Sequence, residues 1–176
     1  MNIVGEKVVL RALCEADAPV LHQIINDFDT ERMLGGKSFP VSMEAQLEWI
    51  RNQRGREDTL RCAIVEKDAD NQMLGTVILS DINYKQGTAQ IHIKMGSGAV
   101  RRKGFGYDAL KTMVTYAFNE LRLHCVYAEV LEYNKPSQAL FEKCGFQKDG
   151  ILRARAFKGG CYVNVIAYSV MVEEVR

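Results

Sequence analysis

Residues 101–108 read RRKGFGYD, three consecutive cations followed by two glycines one residue apart, and a segment with helical apolar periodicity comes next. The first N–H groups of a helix have no acceptor within the helix, and with the helix dipole they bind phosphate groups. Gly104 and Gly106 let an anion approach the backbone where a Cβ would collide. The stretch therefore predicts a phosphate site at a helix start. The alternative interpretation is a solvated basic loop that contains glycines by chance.

Three kinds of phosphate-binding loop have related glycine patterns. A Walker A loop requires G-x-x-x-x-G-K followed by Ser or Thr, which this chain lacks. The dinucleotide fingerprint G-x-G-x-x-G/A fits residues 104–109, and Glu132 stands where a ribose-binding acid is expected. However, only about 70 residues follow it, too few for a second mononucleotide-binding half. The third pattern, Q/R-x-x-G-x-G/A, is satisfied by residues 101–106.

The composition is that of an ordinary folded protein. The 176 residues suit one domain, 1–176, with 47% hydrophobic residues, 26% charged residues and a net charge of +1. This balance argues against nucleic acid or an anionic membrane as a partner. Charges come too early for a signal peptide, and no uncharged run, that around Cys161–Val172 included, reaches the roughly 20 residues of a membrane span. We therefore expect a cytoplasmic protein.

The cysteines and histidines do not form a disulfide or metal pattern. The five cysteines, at positions 14, 62, 125, 144 and 161, are odd in number and lack C-x-x-C spacing. Free thiols in a reducing compartment are the expected state. The three histidines lack metal-ligand spacing, so no metal is predicted.

The periodicity predicts about seven strands and about four helices. An apolar helical face follows Asp17 and extends to Phe28, residues 29–41 read as a loop, and Ser42 can cap a second helix through Gln53. Strands that first cluster and then enclose a helix predict an α/β or α+β fold with a mixed, mostly antiparallel sheet. The other predicted helices are Gly104–Arg122 and Lys135–Cys144, and the predicted strands are Lys7–Leu13, Leu60–Glu66, Met73–Ile82, Thr88–Met95, Cys125–Leu131, Gln147–Phe157 and Tyr162–Glu173.

A second motif separates the loop types. Residues 134–146 read NKPSQALFEKCGF and residues 149–153 read DGILR, while residues 10–17 read LRALCEAD and residues 157–162 read FKGGCY. With the pattern at 101–106, and over nearly its whole length, the chain resembles the GNAT superfamily of acetyltransferases. Within that superfamily it is similar to the branch that contains ribosomal-protein alanine and spermidine N-acetyltransferases.

The resemblance implies a single GNAT fold in which acetyl-CoA lies where two central parallel strands, Thr88–Met95 and Cys125–Leu131, splay apart. The signature loop would hold the pyrophosphate, and an N–H near Met95 would stabilise the negative charge that develops on the thioester oxygen. Asn134 and Phe141 would contact the pantetheine arm. The implied cofactor-binding residues on the strand and loop are Ile93, Lys94, Met95, Arg101, Arg102, Lys103, Gly104, Phe105, Gly106 and Tyr107.

The amine acceptor must lose a proton before it attacks, because an ammonium group has no lone pair and a primary amine has a pKa of about 10. Many relatives use a glutamate on the strand before the loop, but this chain has Gln90 there. Other relatives use a glutamate on the next strand, which matches Glu129. Glu129 is therefore the predicted base, with His92 in reserve; a solvated strand residue is the alternative for Glu129.

The leaving thiolate also gains a proton. Many relatives supply it from a tyrosine seven residues after the motif asparagine, where this chain has Phe141. Ribosomal-protein relatives place a serine three residues after the asparagine, which matches Ser137. Ser137 is therefore predicted to lie near the sulfur, and a helix-capping role is its alternative.

The expected activity is direct acetyl transfer in a ternary complex to a primary amine. The acceptor is a small amine, such as a polyamine or an amino sugar, or a protein N-terminus. Asp27, Asp29, Glu31 and Glu44 could form an acidic entrance for it. A non-catalytic coenzyme A-binding module and a nicotinamide-dependent oxidoreductase stay as alternatives, and a homodimer is possible.

Overall fold

The computed structural model describes residues 1–35, 39–53, 56–96 and 103–175. Eight strands form one sheet in the order β1-β2-β3-β4-β5-β6-β8-β7. The strands are β1 (Ile3–Val4), β2 (Val8–Ala12), β3 (Leu60–Glu66), β4 (Met73–Asn83), β5 (Thr88–Met95), β6 (Cys125–Leu131), β7 (Gln147–Lys158) and β8 (Cys161–Met171).

Six α-helices accompany the sheet in the described part of the chain. They are α1 (Ala18–Asn26), α2 (Phe28–Arg32), α3 (Met43–Arg51), α4 (Phe105–Asn119), α5 (Lys135–Lys143) and α6 (Val172–Val175). The bounds of β3, β5 and β6 agree with the prediction residue for residue. The capping of α3 agrees as well, because the Ser42 hydroxyl accepts a hydrogen bond from the N–H of Ala45 at 3.1 Å.

The sheet is mixed, as predicted. Neighbouring strands are antiparallel except β5 and β6, which are parallel and lie at the centre. The α/β class and the central parallel pair are therefore confirmed. The eighth strand, β1, is a two-residue pairing of Ile3 and Val4 with β2, too short to give a periodic signal. A sheet with one parallel pair does not fit the doubly wound arrangement that a nicotinamide-dependent oxidoreductase would need.

Two apolar layers cover the faces of the sheet. On one face α4 packs over β2–β6 and forms the larger core with the strands. On the other face α1 and α3 pack against Ala63 and Met73 in a smaller cluster. The α4 side chains that are at most 3% exposed are Ala109, Leu110, Met113, Val114 and Ala117. Their spacing is the helical stripe that the sequence predicts.

The loop predicted for residues 29–41 is wrong at its beginning, and so is the predicted place of Phe28 on the preceding helix. Asp27 leaves the helical conformation, with φ −75° and ψ 116°, and its carboxylate accepts a hydrogen bond from the N–H of Thr30. The chain therefore ends α1 and begins a new helix, α2, where a loop was expected. Phe28 begins this helix and is 73% exposed, so it is not part of the apolar face of α1.

Candidate active site

The central parallel strands separate after a short paired segment. Only three residue pairs join β5 to β6, ending at Gln90 and Tyr127. The outer edges stay paired farther along: β4 pairs with β5 as far as Met95, and β6 pairs with β8 as far as Leu131. Because each strand is held from outside while the inner edges diverge, a cleft opens between them. This is the splayed pair that the resemblance implies.

The main-chain N–H and C=O groups of every second residue of β5 point into this cleft. The N–H of Gly96 donates to the carbonyl of Leu74 at 2.8 Å, which fixes the hydrogen-bonding phase of the antiparallel β4–β5 ladder. Successive residues of such a strand direct their amides to opposite neighbours. The main-chain groups of Ile93 and Met95 therefore face β6 and the cleft, whereas those of Lys94 face β4.

Gly75 lets β4 lie close to this part of β5. A Cβ at Gly75 would lie 2.2 Å from the carbonyl oxygen of Lys94 and 3.0 Å from the Cα of Met95. Those distances are too short for any side chain, so only glycine fits without moving the backbone. Gly75 therefore determines where one wall of the cleft lies.

The first turn of α4 stands at the open end of the cleft. Gly104 caps the helix in the left-handed conformation, with φ 86°, and its carbonyl accepts the N–H of Asp108 at 3.0 Å. A Cβ on Gly106 would lie 3.6 Å from Met95 and 3.7 Å from Ile93 and Leu140. The first-turn N–H groups, which have no acceptor within the helix, are thus next to the end of β5.

The other loop residues are placed as follows. Phe105 turns its side chain into the core and is 7% exposed, so only its main chain is available to a ligand. The carbonyl of Lys103 accepts a hydrogen bond from Lys7 Nζ at 3.3 Å. Tyr107 lies under Lys143, whose Nζ is 5.0 Å from the ring centroid. Arg101 and Arg102 lie outside the described residues.

Asp108 is a positioning residue that the sequence reasoning missed. Its carboxylate is 5% exposed and accepts main-chain hydrogen bonds from Lys7 at 2.8 Å and Val8 at 3.0 Å. These contacts fasten the first turn of α4 to the beginning of β2. The available signal was an acidic residue in the first turn of a predicted helix, where it also suits the helix dipole.

Asn134 joins three parts of the chain at the start of α5. Its Oδ1 accepts the N–H of Ser137 at 3.2 Å, and its Nδ2 donates to the carbonyl of Met33 at 2.8 Å. Ser137 is therefore in the first turn of α5, and its hydroxyl is half-buried. Phe141 is 3% exposed, with its ring 5.0 Å from that of Phe146. These contacts establish structural roles, and the cofactor and catalytic roles of these residues stay predictions.

Polar side chains line the face of the cleft that is opposite to α4. Gln90, His92 and Lys94 project there from β5, and Tyr127 and Glu129 project there from β6. His92 and Glu129 each lie two residues beyond the last paired rung, on opposite strands. The structure therefore brings the predicted base and its reserve to the two edges of the same opening.

The surroundings favour an uncharged imidazole at this opening. The packing of protein around His92 lowers the pKa of its ring, Lys94 lowers it further, and Asp81 opposes them. Burial also lowers the pKa of Lys94, which Glu31 partly offsets. Burial raises the pKa of Tyr127, and Asp81 and Glu129 add to that increase. A neutral imidazole can accept a hydrogen bond from an amine, whereas an imidazolium cannot.

α2 forms a rim over this face and is fastened at its end. Glu31 makes an ion pair with Lys158 at 3.0 Å, in which the side chains are 16% and 12% exposed. The hydroxyl of Tyr133 donates to the carbonyl of Arg32. Together with the contact from Asn134, these bonds connect α2 to the β6–α5 corner and the β7–β8 hairpin. Glu31 is consequently engaged and does not add a free charge to the expected acidic entrance.

Two further kinds of feature are absent from the described residues. Within them, no group of three or more His, Cys, Asp or Glu side chains is arranged to hold a metal ion. No helix in the same ranges is long and apolar enough to cross a membrane.

Comparison with known families gives one match that covers most of the chain. The family described as Acetyltransferase (GNAT) domain matches residues 7–147. Among characterised and uncharacterised sequences, an uncharacterized N-acetyltransferase from the SPbeta prophage of Bacillus subtilis is 31% identical over 170 residues, covering 97% of this chain and 93% of that protein. A spermidine N(1)-acetyltransferase of Vibrio cholerae is 29% identical over 163 residues, covering 92% and 91%.

The solved structures agree with the sequences. A crystal structure of spermidine N-acetyltransferase from Vibrio cholerae, in complex with CoA and spermine, has a TM-score of 0.87 and 25% identity. The similarity covers 96% of this chain and 98% of that one.

Proposed function

Because this chain belongs to the GNAT family of N-acetyltransferases and transfers an acetyl group to an amine, we propose that acetyl-CoA is its donor and a small primary amine its acceptor. The observation that carries the proposal is the cleft between β5 and β6, which opens beside the first turn of α4. In this proposal the cleft holds the thioester arm of acetyl-CoA and the first turn of α4 holds its diphosphate, so the two features have to be adjacent.

The main chain provides most of the cofactor site in this proposal. First-turn amides of residues 104–107, with the cations Arg101, Arg102 and Lys103, bind the pyrophosphate. The arm then follows β5, where the amides of Ile93 and Met95 face the cleft. The Met95 N–H serves as the oxyanion donor, because it points to the side where the thioester carbonyl would lie. Lys94, Asn134 and Phe141 complete the set of predicted cofactor contacts.

The acceptor enters from the face opposite to α4. Glu129 takes a proton from the ammonium group, and the neutral amine attacks the acetyl carbonyl. A C–N bond forms, the C–S bond breaks, and the thiolate of CoA leaves. Ser137, in the first turn of α5, is the proposed proton donor to that thiolate.

The rim formed by α2 supports a small acceptor over a protein N-terminus. The ion pair of Glu31 with Lys158 and the contact of Asn134 with Met33 hold α2 over the amine side. A small flexible amine can pass such a fastened rim more easily than a folded polypeptide end. The Vibrio cholerae relative is named for spermidine, so polyamines are the first acceptors to test.

A thiol-release assay with a panel of amines tests the proposal. The panel contains spermidine, spermine, glucosamine and a peptide with a free N-terminus, each with acetyl-CoA. We expect the highest turnover with one of the small amines. Turnover of the peptide alone would reject the small acceptor, and CoA binding without turnover of any amine would favour a binding module.

Replacement of the proposed base gives the first prediction. Glu129→Gln should lower kcat at pH 7 by about 100-fold, because general-base catalysis contributes on that order. The deficit should shrink as the pH approaches the pKa of the amine, since the acceptor then arrives uncharged. The measurement is a pH–rate profile, with Glu66→Gln at the exposed end of β3 as the control. An unchanged profile in Glu129→Gln would remove Glu129 as the base.

A further inference from the structure

A β-bulge interrupts β4 next to the amine side of the cleft. Ser80 pairs with Gln90 and Asn83 pairs with Thr88, so β4 carries one residue more than β5 between these pairs. Asp81 lies in the bulge with φ 51°, a left-handed conformation. Aspartate adopts this conformation more readily than most residues, but it is uncommon within a strand. Bulges often redirect a side chain near an active site.

The bulge places the carboxylate of Asp81 next to the side chain of Ser80. In a regular strand Asp81 would point to the face opposite to Ser80. Here the Ser80 hydroxyl donates to Asp81 Oδ2 at 3.1 Å. The same hydroxyl oxygen lies 2.9 Å from His92 Nε2 on β5. The result is a hydrogen-bonded chain from Asp81 through Ser80 to His92.

The direction of the hydrogen bonds determines the state of the imidazole. A carboxylate only accepts, so the single hydroxyl hydrogen of Ser80 is committed to Asp81. The Ser80 oxygen must then accept from His92, which requires the proton on Nε2. A neutral ring carries one proton, so Nδ1 keeps its lone pair.

We propose that Asp81, acting through Ser80, holds His92 in its Nε2-protonated neutral form, so that Nδ1 accepts a hydrogen bond from the acceptor amine opposite Glu129. His92 then orients the amine, while Ser80 and Asp81 are positioning residues. This proposal deepens the proposed function and rests on it. The amine would sit between an imidazole acceptor on β5 and a carboxylate on β6, with its lone pair directed to the cleft after Glu129 takes the proton.

The charges around the ring are compatible with this role. Burial, the nearby Lys94 and Arg61 lower the pKa of the ring and favour its neutral form, and Asp81 opposes them. Acid should therefore protonate His92 only below its ordinary pKa of 6.5, and the amine contact should be lost there. Arg61, Asp81 and Lys94 are the charged groups of β3, β4 and β5 that act on the ring, and Tyr127 and Glu129 of β6 project to the same face of the sheet.

The tautomer can be measured without any activity. Imidazole ¹⁵N NMR of the full chain at pH 8 distinguishes the two neutral tautomers, and the sequence has only three histidines. His92→Gln identifies the signals. We expect the Nε2-protonated form in the wild type and a shift toward a mixture in Asp81→Gly, because the freed Ser80 hydroxyl can then donate to the ring. Glycine also suits the positive φ, so the backbone should keep its shape.

Asp68→Gly is the matched control, since Asp68 is a second aspartate with a positive φ, 62°, in the exposed turn between β3 and β4. It should leave the His92 signals unchanged. A wild-type ring protonated on Nδ1 would overturn the proposal, as would an Asp81→Gly ring identical to the wild type.

Kinetics and ligand addition complete the test. With the amine of the panel that gives the highest turnover, Asp81→Gly should raise KM for the amine about tenfold, the value of one hydrogen bond. KM for acetyl-CoA should not change. Addition of CoA and that amine to the wild type should move the Nδ1 resonance, and a resonance that stays in place would reject the amine contact. If no amine is turned over, the proposed function fails, while the tautomer measurement still decides the Asp81–Ser80–His92 chain.

Discussion

The two sides of the cleft use different parts of the polypeptide. On the α4 side, most of the proposed ligand contacts are amides of β5 and of the first helical turn, where Gly104 and Gly106 have no side chain and Phe105 points into the core. On the opposite side, the proposed chemistry belongs to side chains from separate strands: Ser80 and Asp81 from β4, His92 from β5 and Glu129 from β6. One side requires room for the ligand, and the other requires particular functional groups.

This difference explains why one side is easier to recognise from sequence. Amides are present in every residue, so a main-chain site needs only glycines at fixed spacing and a helix after them. These leave a compact motif. The amine side is assembled from positions far apart in sequence, and the predicted base can lie on either strand: this chain has Gln90 at one position and Glu129 at the other.

The largest effect should come from filling the main-chain side. Gly106→Ala places a methyl group between Met95, Ile93 and Leu140, at distances of 3.6–3.7 Å that the folded protein can accommodate. In the proposed cofactor site, the arm of CoA passes this junction to reach the helix start. Loss of one charge-assisted hydrogen bond, at about 1.5–3 kcal/mol, corresponds to a rise in Kd for CoA of roughly 10- to 150-fold. Isothermal titration measures it.

The stability of the protein without CoA is the control for this substitution. Alanine is preferred to glycine inside a helix, so the free energy of unfolding of Gly106→Ala should equal or exceed that of the wild type. A variant that binds CoA normally would show that the ligand does not pass Gly106. Loss of stability together with loss of binding would mean that the methyl group disturbs the helix start itself.

A smaller effect is expected from substitution of Gly75, which lets β4 lie close to β5. Gly75→Ala must move the carbonyl of Lys94, which would lie 2.2 Å from the new Cβ, and overpacking of this kind costs about 2 kcal/mol. The free energy of unfolding, measured with urea, should fall by that amount. Because β5 shifts with it, KM for acetyl-CoA should rise as well.

Gly150→Ala is the matched control for Gly75. It also replaces a strand glycine, but no atom lies within 4 Å of its added Cβ. Its stability and KM should match those of the wild type. Equal stability in both variants would show that β5 can adjust freely, and the cleft wall would then not depend on Gly75.

Much of the fold could be predicted because its signals are local. Alternating apolar residues bounded by turn residues give the limits of β5, and a long apolar stripe gives α4. α2 has neither signal: its five residues form a helix because Asp27 caps them, and Tyr133 and Asn134 hold the end from about 100 positions away. Contacts of that range leave no trace in a short stretch of sequence.

The candidate site divides in the same way. The glycines of the loop are recognisable, whereas the roles of Asp108 and of the Asp81–Ser80–His92 chain depend on a register that only the folded sheet defines. Asp81 lies within the predicted strand Met73–Ile82, but the bulge that redirects its side chain cannot be read from the residues themselves. Side-chain constellations of this kind need the structure.

The smallest effect concerns a residue that holds α1 over the amine side but does not contact the cleft. Asp17 is buried, and its carboxylate receives two hydrogen bonds of 2.8 Å from Arg11. Burial alone would raise the pKa of Asp17, but the hydrogen bonds from Arg11 and from the Cys14 N–H outweigh it and lower the pKa. Asp17→Asn should lower the free energy of unfolding by about 1.5 kcal/mol at pH 7, the lower end for a hydrogen bond to a charged group.

The pH dependence shows whether that loss comes from the charge of Asp17. A lowered pKa means that the unfolded chain binds a proton more readily, so the stabilisation is complete above the ordinary pKa of 3.8 and disappears as the pH falls through the lower value of the folded state. The difference in the free energy of unfolding between the wild type and Asp17→Asn should therefore become smaller in acid. Asp58→Asn, which breaks an exposed pair with Arg56, should leave the free energy of unfolding nearly unchanged. Because α1 packs on the amine side, Asp17→Asn should alter KM for the amine and leave Kd for CoA unchanged; a change in Kd alone would contradict the separation of the two sides.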